Sequence, residues 1–134
     1  MFGKKMTSLA PLVLRVGVGL VFVIHGYQKL FGGLEGTSGF FSSLGIPAAG
    51  LFALIVGVVE FFGGIALLLG LLTQVAGVLL FIVMLIAFLL VHGKNGFMVT
   101  NGGYEFVLVL GLAALSLAFS GAGSLSLDRF VFKK

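Results

Sequence analysis

Four apolar stretches, each close to the length of helix that crosses a bilayer, take up most of this chain: residues 9–31, 48–70, 74–92 and 104–120. A helix rising 1.5 Å per residue needs about 20 residues to cross a hydrocarbon core roughly 30 Å thick. Composition points the same way, with 60% hydrophobic and 9% charged residues among 134 and a mean hydropathy of +1.28. Soluble domains carry about a quarter charged residues, so water could not keep such a surface dispersed. The expectation is an all-α membrane protein, an antiparallel bundle of four transmembrane helices forming a single domain over residues 1–134. Cysteine is absent, which removes disulfides, thiol relays and thiolate ligation from this chain's own chemistry.

The links between the stretches are short, which favours antiparallel neighbours. The Gly- and Ser-rich connection over 32–47 holds Phe40, Phe41 and Leu44 and reads as a segment lying at the membrane surface, with Pro47 opening the second helix. Gly70-Leu71-Leu72-Thr73 reads as a tight hairpin, and 92–103 as a longer loop. The first stretch follows Lys4 and Lys5 as a signal peptide would. It is nevertheless long, contains Arg15 and ends in His25-Gly26-Tyr27-Gln28-Lys29 rather than a small-residue cleavage site, so it is expected to be retained.

Net charge is +4, from eight Lys and Arg against four Asp and Glu. Five of the basic residues (Lys4, Lys5, Arg129, Lys133, Lys134) sit near the chain ends, where they suit an anionic inner leaflet. No basic stripe interleaved with aromatics exists, so nucleic acid is not an expected partner. The positive-inside rule places both termini in the cytoplasm of a multi-pass protein of the cell membrane, with Lys29 and Lys94 on the opposite side.

Ionisable residues inside the spans carry the functional information, because each costs about 2.5–3.5 kcal/mol near the bilayer centre and needs a partner or a wet cavity. On a helical wheel Gly19, Phe22, Gly26 and Lys29 lie within about 40° of Arg15, and His25 about 80° away. Glu60 shares its face with Ala53, Gly57 and Gly64, and small residues beside an acid mark a helix interface. Counting from the non-cytoplasmic ends puts Glu60 roughly 18 Å deep and Arg15 roughly 24 Å deep. The expectation is therefore a buried Arg15–Glu60 charge pair, lying below an outer polar pocket of His25, Lys29, His92 and Glu105. An ion pair of this kind can also serve only to fix helix register.

The ordered motifs Arg15-Val16-Gly17, His25-Gly26, Lys29-Leu30, Leu44-Gly45-Ile46-Pro47 and Glu60-Phe61-Phe62-Gly63-Gly64 resemble the DoxX family. His92-Gly93-Lys94-Asn95-Gly96-Phe97 and Asn101-Gly102-Gly103-Tyr104-Glu105 are similar to its final half, and the likeness runs over about residues 9–129. Thr73-Gln74 departs from it, since relatives often place arginine after the threonine. The resemblance implies a membrane subunit related to those of thiosulfate:quinone oxidoreductases, working with redox partners.

Three classes of function follow. In the first the chain is a membrane subunit of a quinone-linked oxidoreductase complex, with a quinone head at His25, Lys29, His92 and Glu105 supplying the electron chemistry that the chain lacks. In the second it is a non-catalytic scaffold or assembly factor; in the third, a small-molecule or proton transporter. Whether the chain is itself catalytic is left open by the residues. His25 and His92 are a thin basis for axial haem ligation, and with neither His-Glu-x-x-His nor a carboxylate cluster no metal is expected. The lipid bilayer, a soluble or membrane redox partner and further copies of the chain are the partners consistent with such a fold.

Overall fold

A computed structural model of the chain describes residues 3–133. Those residues form helices and no strand: α1 (Lys4–Thr7), α2 (Leu9–Leu30), α3 (Leu34–Ser43), α4 (Ala49–Leu69), α5 (Thr73–Ala87), α6 (Glu105–Ser120) and α7 (Leu127–Phe132). A π-helical turn, Phe88–His92, continues α5 into a loop carrying two short 3-10 turns. The helical runs Lys4–Leu30, Ala49–Leu69 and Thr73–Asn95, of 27, 21 and 23 residues, are long and apolar enough to cross a membrane. With 16 residues α6 is equally apolar but shorter, about 24 Å in length.

Leu51, Phe52, Leu54, Ile55, Val58 and Phe62 stand exposed on α4, the signature of a helix that meets lipid rather than water. The core is narrow, centred on Phe22, Leu67, Leu80, Ala114 and Leu117. Lipid tails are as apolar as Leu, so close approach rather than water exclusion must hold the helices together. Glycine supplies that approach. A Cβ on Gly19 would lie 2.9 Å from Gly64 O, and one on Gly64 would lie 2.6 Å from Val23 N. The same device joins α5 to α6, where a Cβ on Gly77 would meet Ala114 O at 2.7 Å. In both pairs the chains run antiparallel: Gly19 faces Gly64 while Gly57 faces Leu30, and Gly77 faces Ala114 while Gly111 faces Met84.

The hairpin after α4 closes as a Schellman turn, with Gly70 left-handed at φ 67° and N–H groups of Gly70 and Leu71 donating to Leu67 O and Ala66 O. The 32–47 connection contains a full helix, α3, packed on α4. Helix α4 itself starts two residues after Pro47, because Ala48 takes a left-handed conformation at φ 51° that helix geometry cannot include. The short α7 follows a conventional cap, Ser126 Oγ accepting from Arg129 N at 3.2 Å.

These contacts place α1, α7 and the α4–α5 hairpin at one end of the packed helices, called here the terminal end. The connections α2–α3–α4 and α5–α6 lie at the other, called here the loop end.

Candidate functional site

Arg15 and Glu60 are both buried, yet they do not meet. The expected Arg15–Glu60 pair is replaced by two separate arrangements, for a reason that lies in helix geometry. Side chains lean toward the N-terminus of their own helix. Helices α2 and α4 are antiparallel, so Arg15 leans to the terminal end and Glu60 to the loop end. The register adds to the separation, since Arg15 reaches Leu67 on α4 and Glu60 lies seven residues, about 10 Å of helix rise, further toward the loop end.

At the terminal end the Arg15 guanidinium donates to four carbonyls. Nε reaches Ala122 O at 2.9 Å, Nη1 reaches Leu67 O at 3.2 Å, and Nη2 reaches Ser124 O and Leu125 O at 3.0 and 3.1 Å. The segment after α6 is thereby tied to α2 and α4. Asp128 extends the knot: its N–H donates to Gly70 O, and its carboxylate accepts from Leu72 N at 2.6 Å and Thr73 N at 2.9 Å, capping α5 from a distant part of the chain. Ser8 and Ser124 join their hydroxyls across the same junction. A cleft of about 460 Å³ lies beside it, lined by Thr73, Gln74, Ser126, Asp128 and Arg129 among others. The acceptors of Arg15 are backbone groups, which carry no sequence label. Ser126 and Asp128 do carry one, as an N-cap followed by a first-turn acid.

Toward the loop end, Lys29 Nζ lies 2.8 Å from Glu60 Oε2, the only salt bridge among the described residues. Gly57 makes room for it, since a Cβ there would meet the Leu30 side chain at 2.8 Å and Lys29 Cβ at 3.4 Å. The pair is asymmetric in exposure: 24% of the Lys29 side chain is accessible against 4% for Glu60. Tyr27, Phe31 and Phe61 pack as a ring cluster near it, with Phe31 and Phe61 edge to face at 5.7 Å.

The remaining candidate residues sit on two further elements. His25 is exposed and packs its ring against Phe106 of α6, with centroids 6.1 Å apart. His92 ends the π-helical turn and places Nδ1 2.7 Å from Gly102 O; a carbonyl can only accept, so Nδ1 carries the proton. Glu105 Oε1 accepts from Val99 N at 2.8 Å, and Asn95 Nδ2 donates to Gly102 O at 3.2 Å. His92 and Glu105 thus hold the 93–104 loop, while Lys29 holds Glu60. Among the described residues no hydrogen bond joins these two groups, and no group of three or more His, Asp or Glu side chains is placed to hold a metal.

An apolar groove lies on the side of α2 away from α4. It runs between α2 and α6 as an open groove of about 760 Å³, lined by Val13, Gly17, Val21, Phe106, Val109 and Ala113 among others. Helix α2 makes far closer contact with α4 than with α6, so this side is left open. Its α2 wall ends at Val21, one turn before His25, and Phe106 belongs both to the wall and to the His25 contact.

Long apolar helices, glycine-mediated packing and buried ionisable groups define a multi-pass helical membrane protein. Within that class the chain belongs to the DoxX family, whose profile matches residues 10–93. It is 39% identical over 130 residues to "Putative oxidoreductase CatD" of Bacillus subtilis, covering 97% of this chain and 92% of that one. It is 30% identical over 131 residues to inner membrane protein YqjF of Escherichia coli, covering 98% of each. An uncharacterized membrane protein of Mycobacterium tuberculosis is 39% identical over 133 residues, with 90% of this chain and 80% of that one covered. No solved structure matches the chain.

Proposed function

We propose that this chain is a membrane subunit of a quinone-linked oxidoreductase complex, crossing the cell membrane four times as an antiparallel bundle with both termini in the cytoplasm. The observation that carries the reading is the α2–α6 groove. It is an open groove of about 760 Å³ with an apolar lining; its α2 wall ends at Val21, one turn short of His25, whose ring packs on the wall residue Phe106. A lipid-soluble quinone matches that order, an apolar tail followed by a head bearing oxygens. Of the candidate residues His25, Lys29, His92 and Glu105, His25 stands nearest the groove, while Lys29 pairs with Glu60 and His92 and Glu105 hold the 93–104 loop; the bound quinone would supply the two-electron chemistry for which this cysteine-free chain has no group of its own. The similarity to the relative named "Putative oxidoreductase CatD" supports the class of reaction.

The experiment is to purify the chain from its native membrane in mild detergent and identify extracted lipids by mass spectrometry, beside Gly17→Phe. Gly17 is exposed, and a Cβ there meets nothing within 4 Å, so phenylalanine fills the groove without disturbing the helix. The reading expects a stoichiometric quinone that Gly17→Phe loses. Pure folded protein free of quinone would overturn it.

A further inference from the structure

Helices α5 and α6 run side by side but end at different heights. Gln74 Nε2 donates to Ala118 O at 3.1 Å, which levels the two at the terminal end. Further along, Gly111 faces Met84. Six residues toward the loop end from each lie Glu105 and Leu90, so the first residue of α6 stands level with Leu90. The helical run that begins with α5 continues to Asn95, about five residues or roughly 7 Å further out. Helix α6, about 24 Å long, therefore stops about 6 Å short of crossing a hydrocarbon core roughly 30 Å thick.

The loop returns to that lower level. Tyr104 N donates to Gly96 O and Glu105 N to Phe97 O, each at 2.9 Å, which draws Gly96 and Phe97 down beside the start of α6. There Phe97, Met98 and Val99 form a row of apolar side chains, each half exposed, near the height of the exposed Leu89 and Leu90. Polar backbone within a bilayer must be satisfied by the protein itself, and the loop meets that demand over most of its length. The carbonyls of Gly96, Phe97, Met98, Val99 and Gly102 all accept, and the N–H groups of Val99 and of Asn101 through Glu105 all donate, within the loop and its flanking helices. A loop in water could leave such groups to solvent. The N–H groups of Phe97 and Met98 find no acceptor among the described residues, and lipid ester carbonyls suit them, which sets the loop at the acyl boundary rather than deeper.

We infer that residues 96–104 form a lipid-binding cap, with Phe97, Met98 and Val99 inserted at the headgroup–acyl boundary of the leaflet at the loop end. The cap completes the crossing that α6 leaves short, and its partner is the bilayer itself. The bonds of His92 to Gly102 O and of Glu105 to Val99 N belong to the closure that lets this backbone enter lipid. The inference rests on α6 crossing the membrane, and it is independent of the groove between α2 and α6.

Tryptophan is absent from the chain, so a single introduced indole reports its own surroundings. The test is fluorescence of Met98→Trp and Val99→Trp in lipid nanodiscs, either of which decides alone. Lys94→Trp is the water-facing reference, and Leu112→Trp, on an exposed face of α6 about 10 Å deeper than Glu105, is the bilayer reference. The quenchers are iodide and phosphatidylcholine brominated either high on the acyl chain or near its end. Both loop indoles should emit at shorter wavelength than Lys94→Trp. Lipid brominated high on the chain should quench them several-fold more than it quenches Lys94→Trp, and iodide several-fold less. Leu112→Trp should respond most to lipid brominated near the chain end. Loop indoles that iodide reaches as readily as Lys94→Trp, with Leu112→Trp still quenched by lipid, would overturn the inference; the bilayer would then thin to meet α6, and the four-crossing reading would stand. Were Leu112→Trp also to escape lipid quenching, α6 would not cross, and that reading would fall together with this inference.

Discussion

Lys29 and Glu60 face each other across α2 and α4 at 2.8 Å, at a level where Gly57 and Gly26 let the two backbones approach. The energetics of such a pair are set by what remains when one member goes. Lys29→Met strands an almost fully buried carboxylate and should cost about 2–4 kcal/mol, toward the lower end because Lys29 is a quarter exposed. Glu60→Gln, which strands the better-solvated partner, should cost less. The double variant Lys29→Met with Glu60→Gln should recover at least half the loss of Lys29→Met. Equilibrium unfolding in detergent checks the ordering.

Arg15 should behave as the tie for the segment after α6. Arg15→Met removes the donors for four carbonyls and should destabilise the chain by about 3 kcal/mol or more. Amide exchange and protease cleavage should rise within residues 121–128. Arg15→Lys should rescue little, since a single ammonium cannot span acceptors arranged around a planar guanidinium. Limited proteolysis followed by peptide mapping separates local release from global loss.

Gly26 and Gly17 lie on the same helix and should respond in opposite directions. A Cβ at Gly26 would fall 2.6 Å from Phe61 Cα and 2.7 Å from its Cβ, so Gly26→Ala must push α2 away from α4 and should cost about 1–3 kcal/mol. Gly17→Ala meets open space and should be neutral or stabilising by up to about 1 kcal/mol, the difference in helix propensity. Thermal unfolding of the two variants side by side is the measurement.

The absence of cysteine makes the orientation directly measurable. Single cysteines at Ser126 and at Lys94 should label from opposite sides of sealed membrane vesicles, Ser126→Cys from the cytoplasmic side. Labelling of both from one side would overturn the four-crossing topology.

The helical stretches were legible because a long apolar run bounded by Gly, Pro or Asn admits few structures in a membrane. The expected 48–70 is α4 at Ala49–Leu69, and the expected 9–31 is α2 at Leu9–Leu30. The partner of Glu60 was harder to read. Depth counted from helix ends puts Arg15 and Glu60 about 6 Å apart, but takes no account of side chains that lean opposite ways on antiparallel helices. Lys29, counted as part of the outer pocket, leans back along α2 and meets Glu60 instead. The acceptors of Arg15 were invisible in principle, because a carbonyl of Ala122 or Leu125 looks like any other until the chain has folded. The α2–α6 groove was equally hidden, since an open side between two apolar helices depends on packing that no periodicity records.

The central claim, a quinone held between α2 and α6 below His25, is tested most directly by photo-crosslinking with a short-chain quinone bearing a photoreactive tail, followed by peptide mapping. The account predicts label concentrated on residues 13–21 of α2 and 106–113 of α6, competed away by unlabelled quinone and absent in Gly17→Phe. Label spread evenly over the lipid-facing residues of α4 and α5, or label that unlabelled quinone does not displace, would contradict it.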